Sequence, residues 1–170
     1  MKPITKLILV LSIFSISVAA KAQGLKFGHI NSADLIQLMP ETKQSDSTLR
    51  KFGESLDGQL KTMTAEYQSK LQKYQGGRDS MPDAIKAVKE KELEDLGNRI
   101  QDFQQTAQES IQKKKEDLYN PILKKADQAI KDVAKEKGYS YILDTSSGTV
   151  LYAQDSDDIM SLVKSKMGLK

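Results

Sequence analysis

Three aspartates are the residues whose type and spacing come nearest to acid–base chemistry in this sequence. Asp144 closes the run "YSYILD", and Asp157 and Asp158 stand side by side before a final apolar stretch. Neighbouring carboxylates can transfer a proton when they face a substrate together. Here Asp144 ends a predicted strand and the other two fall in the first turn of a predicted helix, where turn and capping roles account for them. We therefore predict that the protein is not an enzyme.

The sequence also lacks the side chains on which most metal and thiol chemistry depends. It contains no Cys and a single His, His29, which lies in the strand-like run "KFGHI". Without Cys there is no disulfide and no lipid attached through a thiol, and one His without Cys excludes the usual zinc sites. We expect His29 to be a sheet residue, and we predict neither a metal nor a cofactor.

The first 22 residues are typical of a secretory signal peptide. Lys2 and Lys6 precede the apolar run "LILVLSIFSISVAA", which is short for a membrane span, and Ala20-Lys21-Ala22 supplies an A-x-A cleavage site. An uncleaved anchor is the alternative interpretation. We predict cleavage near Ala22 and export, most simply to a bacterial periplasm.

Removal of this leader changes the charge of the protein. The full chain has 26 Lys and Arg residues against 23 Asp and Glu residues, a formal net charge of +3. Lys2, Lys6 and Lys21 leave with the leader, so the remaining chain is neutral overall. A nucleic-acid-binding protein requires a strong positive field, and we predict no nucleic-acid partner.

Most of the remaining chain is predicted to form two long helices. From about Glu41 to Gln75, apolar residues recur in steps of three and four and repeat every eleven positions, as in Leu49, Leu60 and Leu71. Such a stripe runs nearly straight along a helix. A second helix with the same period extends to about Lys137, where Gly138 ends it, and Pro121 is expected to kink it.

The segment between these helices predicts a tight turn at residues 76–82. Gly76 and Gly77 supply a stop signal, and Ser80 with Asp83 resembles a capping box. The second helix alone would be about 85 Å long. A globular domain of this size is only about 30–40 Å across, so the antiparallel coiled-coil hairpin of residues 41–137 must project as an arm.

Residues 23–40 and 138–170 are left to form a small β-rich body. Three strands are predicted, at Leu25–Ile30, at Tyr139–Asp144 and at Val150–Tyr152 after a turn. A short helix capped by Ser32 ends before Pro40, and a final helix is expected to be capped by Ser156 and terminated by Gly168. A body this small with open strand edges is marginal alone, so we expect several copies to associate.

This order of elements resembles the Skp/OmpH family of periplasmic chaperones over essentially the whole mature chain. The segments that carry the resemblance best are "KFGHINSADLIQLMPE", "NPILKKADQAIKDVAKEKGYSYILD" and "VLYAQDSDDI". The resemblance implies an α+β fold, with a β-rich trimerisation body and three helical arms around a cavity. It also implies an ATP-independent holdase that binds unfolded outer-membrane β-barrel proteins, with transient contact to a membrane surface. The best-known member is strongly basic and this mature chain is neutral, so we expect apolar contact to dominate client binding and no lipopolysaccharide role.

Two sets of residues are candidates for these roles. Adaptable apolar side chains near the distal arm are the candidate client-binding residues, namely Met63, Tyr67, Tyr74, Met81 and Ile85. Residues of the strands are the candidate trimer interface, namely Phe27, Ile30, Ile142 and Val150. Packing within the hairpin is the alternative role for each client-binding candidate. The alternative for the whole protein is a structural or adaptor coiled coil that docks one folded partner.

The sequence also predicts where the molecule is least stable. The arm has few apolar residues per turn and no covalent tie, so its local stability is expected to fall toward the tip. We therefore expect faster amide exchange at residues 76–83 than at residues 139–144.

Overall fold

The protein is described by a computed structural model that covers residues 24–169. It has two strands, β1 (Phe27–Ile30) and β2 (Tyr141–Asp144), and four α-helices, α1 (Ser32–Leu38), α2 (Pro40–Gly77), α3 (Asp83–Lys137) and α4 (Met160–Met167). The predicted α+β fold with a long helical hairpin is confirmed. The predicted signal peptide and its cleavage site lie outside the described residues. Within residues 24–169, no helix combines the length and apolar character needed to cross a membrane.

The two strands form a parallel sheet that joins the beginning and the end of the described chain. Phe27 pairs with Tyr141, and Ile30 pairs with Asp144. The third predicted strand is wrong for this chain alone, because Val150–Tyr152 is not a strand in the structure. A strand needs a partner along its edge, and His29 instead makes an isolated bridge with Asp158, just before α4.

The core of the body lies beneath this sheet and draws on α3 as much as on the strands. Ile30, Leu35, Met39, Ile159 and Val163 are fully buried. They pack with residues from the last turns of α3, namely Ile122, Ala126, Ala129 and Val133. The sequence assigned this part of α3 to the arm. With these residues of α3, the body has a larger hydrophobic core than residues 23–40 and 138–170 could form by themselves.

The helix caps differ from the predicted ones by one or two residues. Asn31, not Ser32, caps α1, because its side-chain oxygen accepts a hydrogen bond from the Asp34 backbone at 3.2 Å. At α4 the predicted Ser156 cap is also wrong. The carboxylate of Asp158 accepts the Met160 N–H at 2.8 Å instead. In both helices a side-chain oxygen accepts a hydrogen bond from a free N–H of the first turn, which is the role expected of the predicted cap.

Helices α2 and α3 form the predicted hairpin. At 1.5 Å per residue, α2 is about 57 Å long and α3 about 82 Å. A single 3₁₀ turn, Arg78–Ser80, connects them, and the predicted capping box is absent because the Ser80 hydroxyl donates to the Gly77 carbonyl at 3.0 Å. Pro121 lies inside α3, which continues through it. At the other end, Gly138 has φ of +70°, a left-handed conformation that terminates α3 as predicted.

Candidate functional site

Two surfaces are candidates for function, and the first is the distal arm. Tyr74 is buried where α2 and α3 meet, and its hydroxyl donates a hydrogen bond to Glu90. That hydrogen bond raises the pKa of Tyr74 above its usual value. Leu93 and Leu96 of α3 are buried in the same part of the hairpin. Tyr74 therefore holds the two helices together in the free chain.

A groove of about 260 Å³ lies beside Tyr74. Its apolar floor is formed by Tyr74, Met81 and Leu93, and its charged rim by Lys70, Lys73, Lys89 and Glu92. Met81 reaches back across the turn, so that a Cβ added at Gly77 would lie 2.8 Å from the Met81 Cε. Met81 is half-buried, and its flexible terminal methyl group packs closely against the turn at Gly77.

Ion pairs neutralise part of the groove rim. Glu92 lies 3.0 Å from the Lys89 ammonium and 3.8 Å from that of Lys70 on the opposite helix. The hydrogen bond from Lys89 holds the pKa of Glu92 below its ordinary value. Because all three side chains remain substantially exposed, these pairs orient the rim more than they stabilise the hairpin.

Apolar side chains that no neighbour covers lie on the outer side of α3. Ile85 is 46% exposed and Val88, one turn further on, is 53% exposed. Met63 and Tyr67 are half-buried in the seam, and the Tyr67 ring lies against Gly97 of the opposite helix. Of the five client-binding candidates, Ile85 is therefore the most accessible. Sequence reasoning missed Val88, although its spacing of three from Ile85 places it on the same side of the helix.

The second surface is the outer face of the sheet, which we define by Phe27, Tyr141 and Leu143. All three are exposed. The rings of Phe27 and Tyr141 stack with centroids 5.5 Å apart. The opposite face is fully occupied, since a Cβ at Gly28 would lie 2.9 Å from the Tyr139 ring. One face of the sheet is thus packed and the other presents uncovered aromatic and aliphatic groups.

The four predicted interface residues fall on different sides of this sheet. Phe27 belongs to the outer face, whereas Ile30 is only 1% exposed and packs inside its own chain. Ile142 is half-buried against the same core, and Val150 is half-buried outside any strand. Four residues outside the predicted set are also exposed, namely Tyr141, Leu143, Leu151 and Tyr152, and all of them except Leu143 are more exposed than Phe27. Strand alternation could have found the first two, because Phe27 and its register partner must share a face.

The three candidate aspartates have structural partners. The Asp144 carboxylate accepts hydrogen bonds from the Ser32 N–H at 3.2 Å, the Ser32 hydroxyl at 2.5 Å and the Ser146 N–H at 2.9 Å. Desolvation raises the pKa of Asp144, but these hydrogen bonds outweigh it and lower the pKa to about 2. Asp158 caps α4, and Asp157 belongs to the 3₁₀ turn before it. These hydrogen bonds hold the loop after β2 against the start of α1, and they hold the first turn of α4.

His29 is also held within the body. Its Nε2 lies 2.9 Å from the Gln154 carbonyl oxygen, which fixes the loop before α4 against β1. Within residues 24–169, no cluster of three or more His, Cys, Asp and Glu residues is arranged to hold a metal ion. The accessible features of the two surfaces are therefore apolar side chains and ammonium groups, which suit binding.

Comparison with known proteins shows which proteins this chain is similar to. The model of a protein family described as "Outer membrane protein (OmpH-like)" matches residues 26–167. "Chaperone protein Skp" of Yersinia enterocolitica is 26% identical over 149 residues, covering 85% of this chain and 87% of the relative. The protein of the same name from Photorhabdus luminescens is 27% identical over 154 residues, covering 88% and 90%.

The fold has been seen before. The crystal structure of an OmpH-like outer membrane chaperone from Caulobacter crescentus superposes with a TM-score of 0.72. It covers 83% of this chain and 82% of its own, at 15% sequence identity. Since the family model spans most of the sequence and the hairpin architecture agrees with it, the chain belongs to the Skp/OmpH family.

Proposed function

We propose that this protein is an ATP-independent holdase of the periplasm, which binds unfolded outer-membrane β-barrel proteins between helical arms and prevents their aggregation. The observation that carries the proposal is the long projecting hairpin with uncovered apolar side chains, Ile85 and Val88, near its tip. Strands of a β-barrel alternate apolar with polar residues, so each presents only a weak apolar signal. Several shallow contacts, repeated on several arms, sum to useful affinity while each exchanges rapidly.

Release needs no nucleotide in this mechanism. A barrel that folds into a membrane buries its apolar face in lipid, and the contacts with the arms are then lost. The membrane competes for the same client surface that the arms hold. The distal arm supports this view, because its exposed apolar side chains, Ile85 and Val88, are aliphatic and lie outside the groove beside Tyr74.

We further propose that the chain acts as a homotrimer held together by the body. The outer face of the sheet is uncovered, and β2 is paired along one edge only. Leu151 is 96% exposed, and the backbone N–H groups of residues 149–153 make no backbone hydrogen bond within the described chain. The strand-like run "VLY" therefore has the composition of a strand but no partner in its own chain. A sheet edge of a second copy supplies one.

Charge substitutions test the assembly. We expect Tyr141→Glu and Leu151→Glu to dissociate the trimer, whereas Ser147→Glu, on an exposed turn between them, leaves it intact. Light scattering at micromolar concentration measures the mass. A stable folded monomer for the unaltered protein would exclude the trimer, and trimeric Tyr141→Glu and Leu151→Glu variants would exclude the outer face as its interface.

An aggregation assay tests the function. A urea-unfolded outer-membrane β-barrel protein is diluted without nucleotide, and light scattering follows its aggregation with and without the protein. We expect suppression near one trimer per client, reduced severalfold by Ile85→Ser with Val88→Ser. The matched control is Ala84→Ser with Ala87→Ser, which places two serines on the same turns but removes little apolar area.

Two outcomes would contradict the proposal. Absence of suppression by the unaltered protein would exclude a holdase, and tight binding of one folded envelope protein would then favour the adaptor alternative. Equal loss in the two double variants would show that helix propensity, and not apolar contact, is responsible.

A further inference from the structure

The tip of the arm is held by a small apolar cluster that contains one methionine. Tyr74 of α2 and Leu93 of α3 are buried, and Met81, just before α3, lines the groove that they share. Leu96, one turn beyond Leu93, is 3% exposed. We call these four side chains the distal clasp. Together with the hydrogen bond from Tyr74 to Glu90, they join the two helices at the tip.

Met81 links the turn to the rest of the distal clasp. Its backbone N–H donates to the Arg78 carbonyl at 3.3 Å, and Pro82 follows it directly. Its side chain reaches back to Gly77, where an added Cβ would lie 2.8 Å from the Met81 Cε. The same side chain lines the groove beside Tyr74. The packing of the turn against the helices therefore depends on a side chain that an oxidant can change.

The groove makes Met81 accessible to a small reagent. Hydrogen peroxide is little larger than water, which occupies about 30 Å³ per molecule in the liquid, and the groove measures about 260 Å³. Met39, by contrast, is fully buried in the core of the body. Met63 is half-buried in the middle of the arm, and Met81 is the only methionine of residues 64–159. Oxidation at the tip can therefore be assigned to Met81.

The reaction of Met81 with a peroxide is a two-electron oxidation of its thioether. The chain contains no Cys, so no thiol of its own competes for the oxidant. A lone pair of the Met81 Sδ attacks one peroxide oxygen, an S–O bond forms and the O–O bond breaks. The leaving hydroxide takes the proton of the transferred hydroxyl group. The products are methionine sulfoxide and water.

The sulfoxide is poorly suited to the place that the thioether occupies. Its oxygen is a hydrogen-bond acceptor, and an acceptor on an apolar floor without a donor is unfavourable. The nearest donors along the same groove are the ammonium groups of its rim, on Lys70, Lys73 and Lys89. The oxidised side chain therefore turns toward the rim and gives up its packing against the turn at Gly77.

We propose that Met81 is an oxidation site for peroxides and that its sulfoxide loosens the distal clasp. A looser clasp uncovers Leu93 and Leu96, which follow the exposed Ile85 and Val88 on α3 within about three turns. The extra apolar surface is available to a client, and this last consequence rests on the proposed holdase function. Because methionine sulfoxide is reduced by enzymes specific for each of its two epimers, the change is reversible.

A pair of methionine variants tests the site. The first is Met81→Leu, which keeps an apolar side chain of similar volume but removes the sulfur. The matched control is Met63→Leu, at the other half-buried methionine of the arm. Each protein is treated with hydrogen peroxide at millimolar concentration. Peptide mass spectrometry locates the added oxygen, and native-state hydrogen exchange then measures the opening of the distal arm.

We expect Met81 to oxidise at least about tenfold faster than the buried Met39. In the oxidised unaltered protein, amides of residues 70–77 and 84–96 should exchange about fivefold faster or more, and treatment with both sulfoxide reductases should restore the original rates. Met63→Leu should behave in the same way. The distal exchange of Met81→Leu should change less than about twofold on treatment.

Three outcomes would overturn the proposal. Oxidation of Met81 no faster than that of Met39 would reject the oxidation site. Unchanged distal exchange after complete oxidation of Met81 would reject its effect on the distal clasp, and so would faster exchange that persists in Met81→Leu. Neither measurement uses a client, so a failure of the unaltered protein to suppress aggregation would reject the holdase function separately.

Discussion

The two ends of the arm and its middle are built differently. Near the root, Thr42 and Ser45 of α2 are buried and Tyr119 bonds Asp46 across the helices. Near the tip, Tyr74, Leu93 and Leu96 are buried. Between them, no residue from 46 to 73 of α2 or from 97 to 121 of α3 is buried. No hydrogen bond or ion pair joins residues 47–69 of α2 to residues 97–118 of α3, all of which the structure describes.

This difference changes which part of the arm we expect to open most readily. From the few apolar residues per turn, the sequence predicts that the stability of the arm falls toward the tip. The structure concentrates burial and interhelical hydrogen bonds at both ends, so the softest interhelical contacts lie in the middle. Faster exchange at residues 76–83 than at residues 139–144 stays a prediction, since the turn itself is exposed. The distal helices should exchange more slowly than the middle.

Truncation of one leucine in the distal arm and of one in the middle should give the largest difference in local stability. Leu96 is 3% exposed in the distal cluster, whereas Leu60 is half-buried in the middle. We expect Leu96→Ala to destabilise the distal arm by about 2–4 kcal/mol and Leu60→Ala by about 1 kcal/mol, because burial sets the cost of a cavity. Native-state hydrogen exchange measures both. Equal effects would show that the middle is packed as tightly as the end.

Replacement of two glycines by alanine should stabilise the middle of the arm without adding a contact. Gly53 and Gly58 lie within α2, and a Cβ at either position meets nothing within 4 Å. We expect Gly53→Ala and Gly58→Ala to slow exchange in the middle of the arm and to add about 0.5–1 kcal/mol each, through helix propensity. Gly138→Ala is the control with the opposite sign, because Gly138 has φ of +70°. Stabilisation by all three changes would contradict the explanation.

Acid should act on the body more than on the arm. The pKa of Asp144 is about 2 in the folded chain against an ordinary value of 3.8. Since the folded pKa is depressed, its stabilisation is present above pH 4 and is lost as the pH falls toward 2. After allowance for solvent screening we expect a loss of about 1 kcal/mol. Asp144→Asn should remove this pH dependence in denaturant titrations between pH 2 and pH 5, and an unchanged profile would exclude Asp144 as its source.

The sequence predicted the hairpin well because its signals are local. Steps of three and four, a glycine pair and Gly138 give the helices and their ends within two residues. The caps at Asn31 and Asp158 were missed because adjacent residues can serve as caps equally well, and only the backbone path decides between them. The run at residues 150–152 carries strand composition, but composition does not supply a partner.

The placement of the candidate site residues was less predictable. Ile30 and Phe27 belong to one strand, yet one enters the core and the other faces outward, since side chains alternate across a strand. Which face is covered depends on where α3 packs, and the sequence gives no direct sign that Ile122–Val133 fill the body. Tyr74 looked adaptable but is fixed by Leu93 and Glu90. Val88 lies on the same side of α3 as Ile85, and both side chains remain exposed.

The parallel pairing of Phe27 with Tyr141 also has a kinetic meaning. The sheet cannot form before the more than one hundred residues that follow β1 have been made, and closing a flexible loop of that length would cost about 4 kcal/mol of chain entropy. A hairpin that forms first brings the two ends together, as the contact between Glu41 and Lys125 illustrates. Residues 31–40 and 126–140 are then the segments that remain between this contact and the sheet. The expected order of folding is therefore arm before body, and the body is completed only when the last strand, β2, is available.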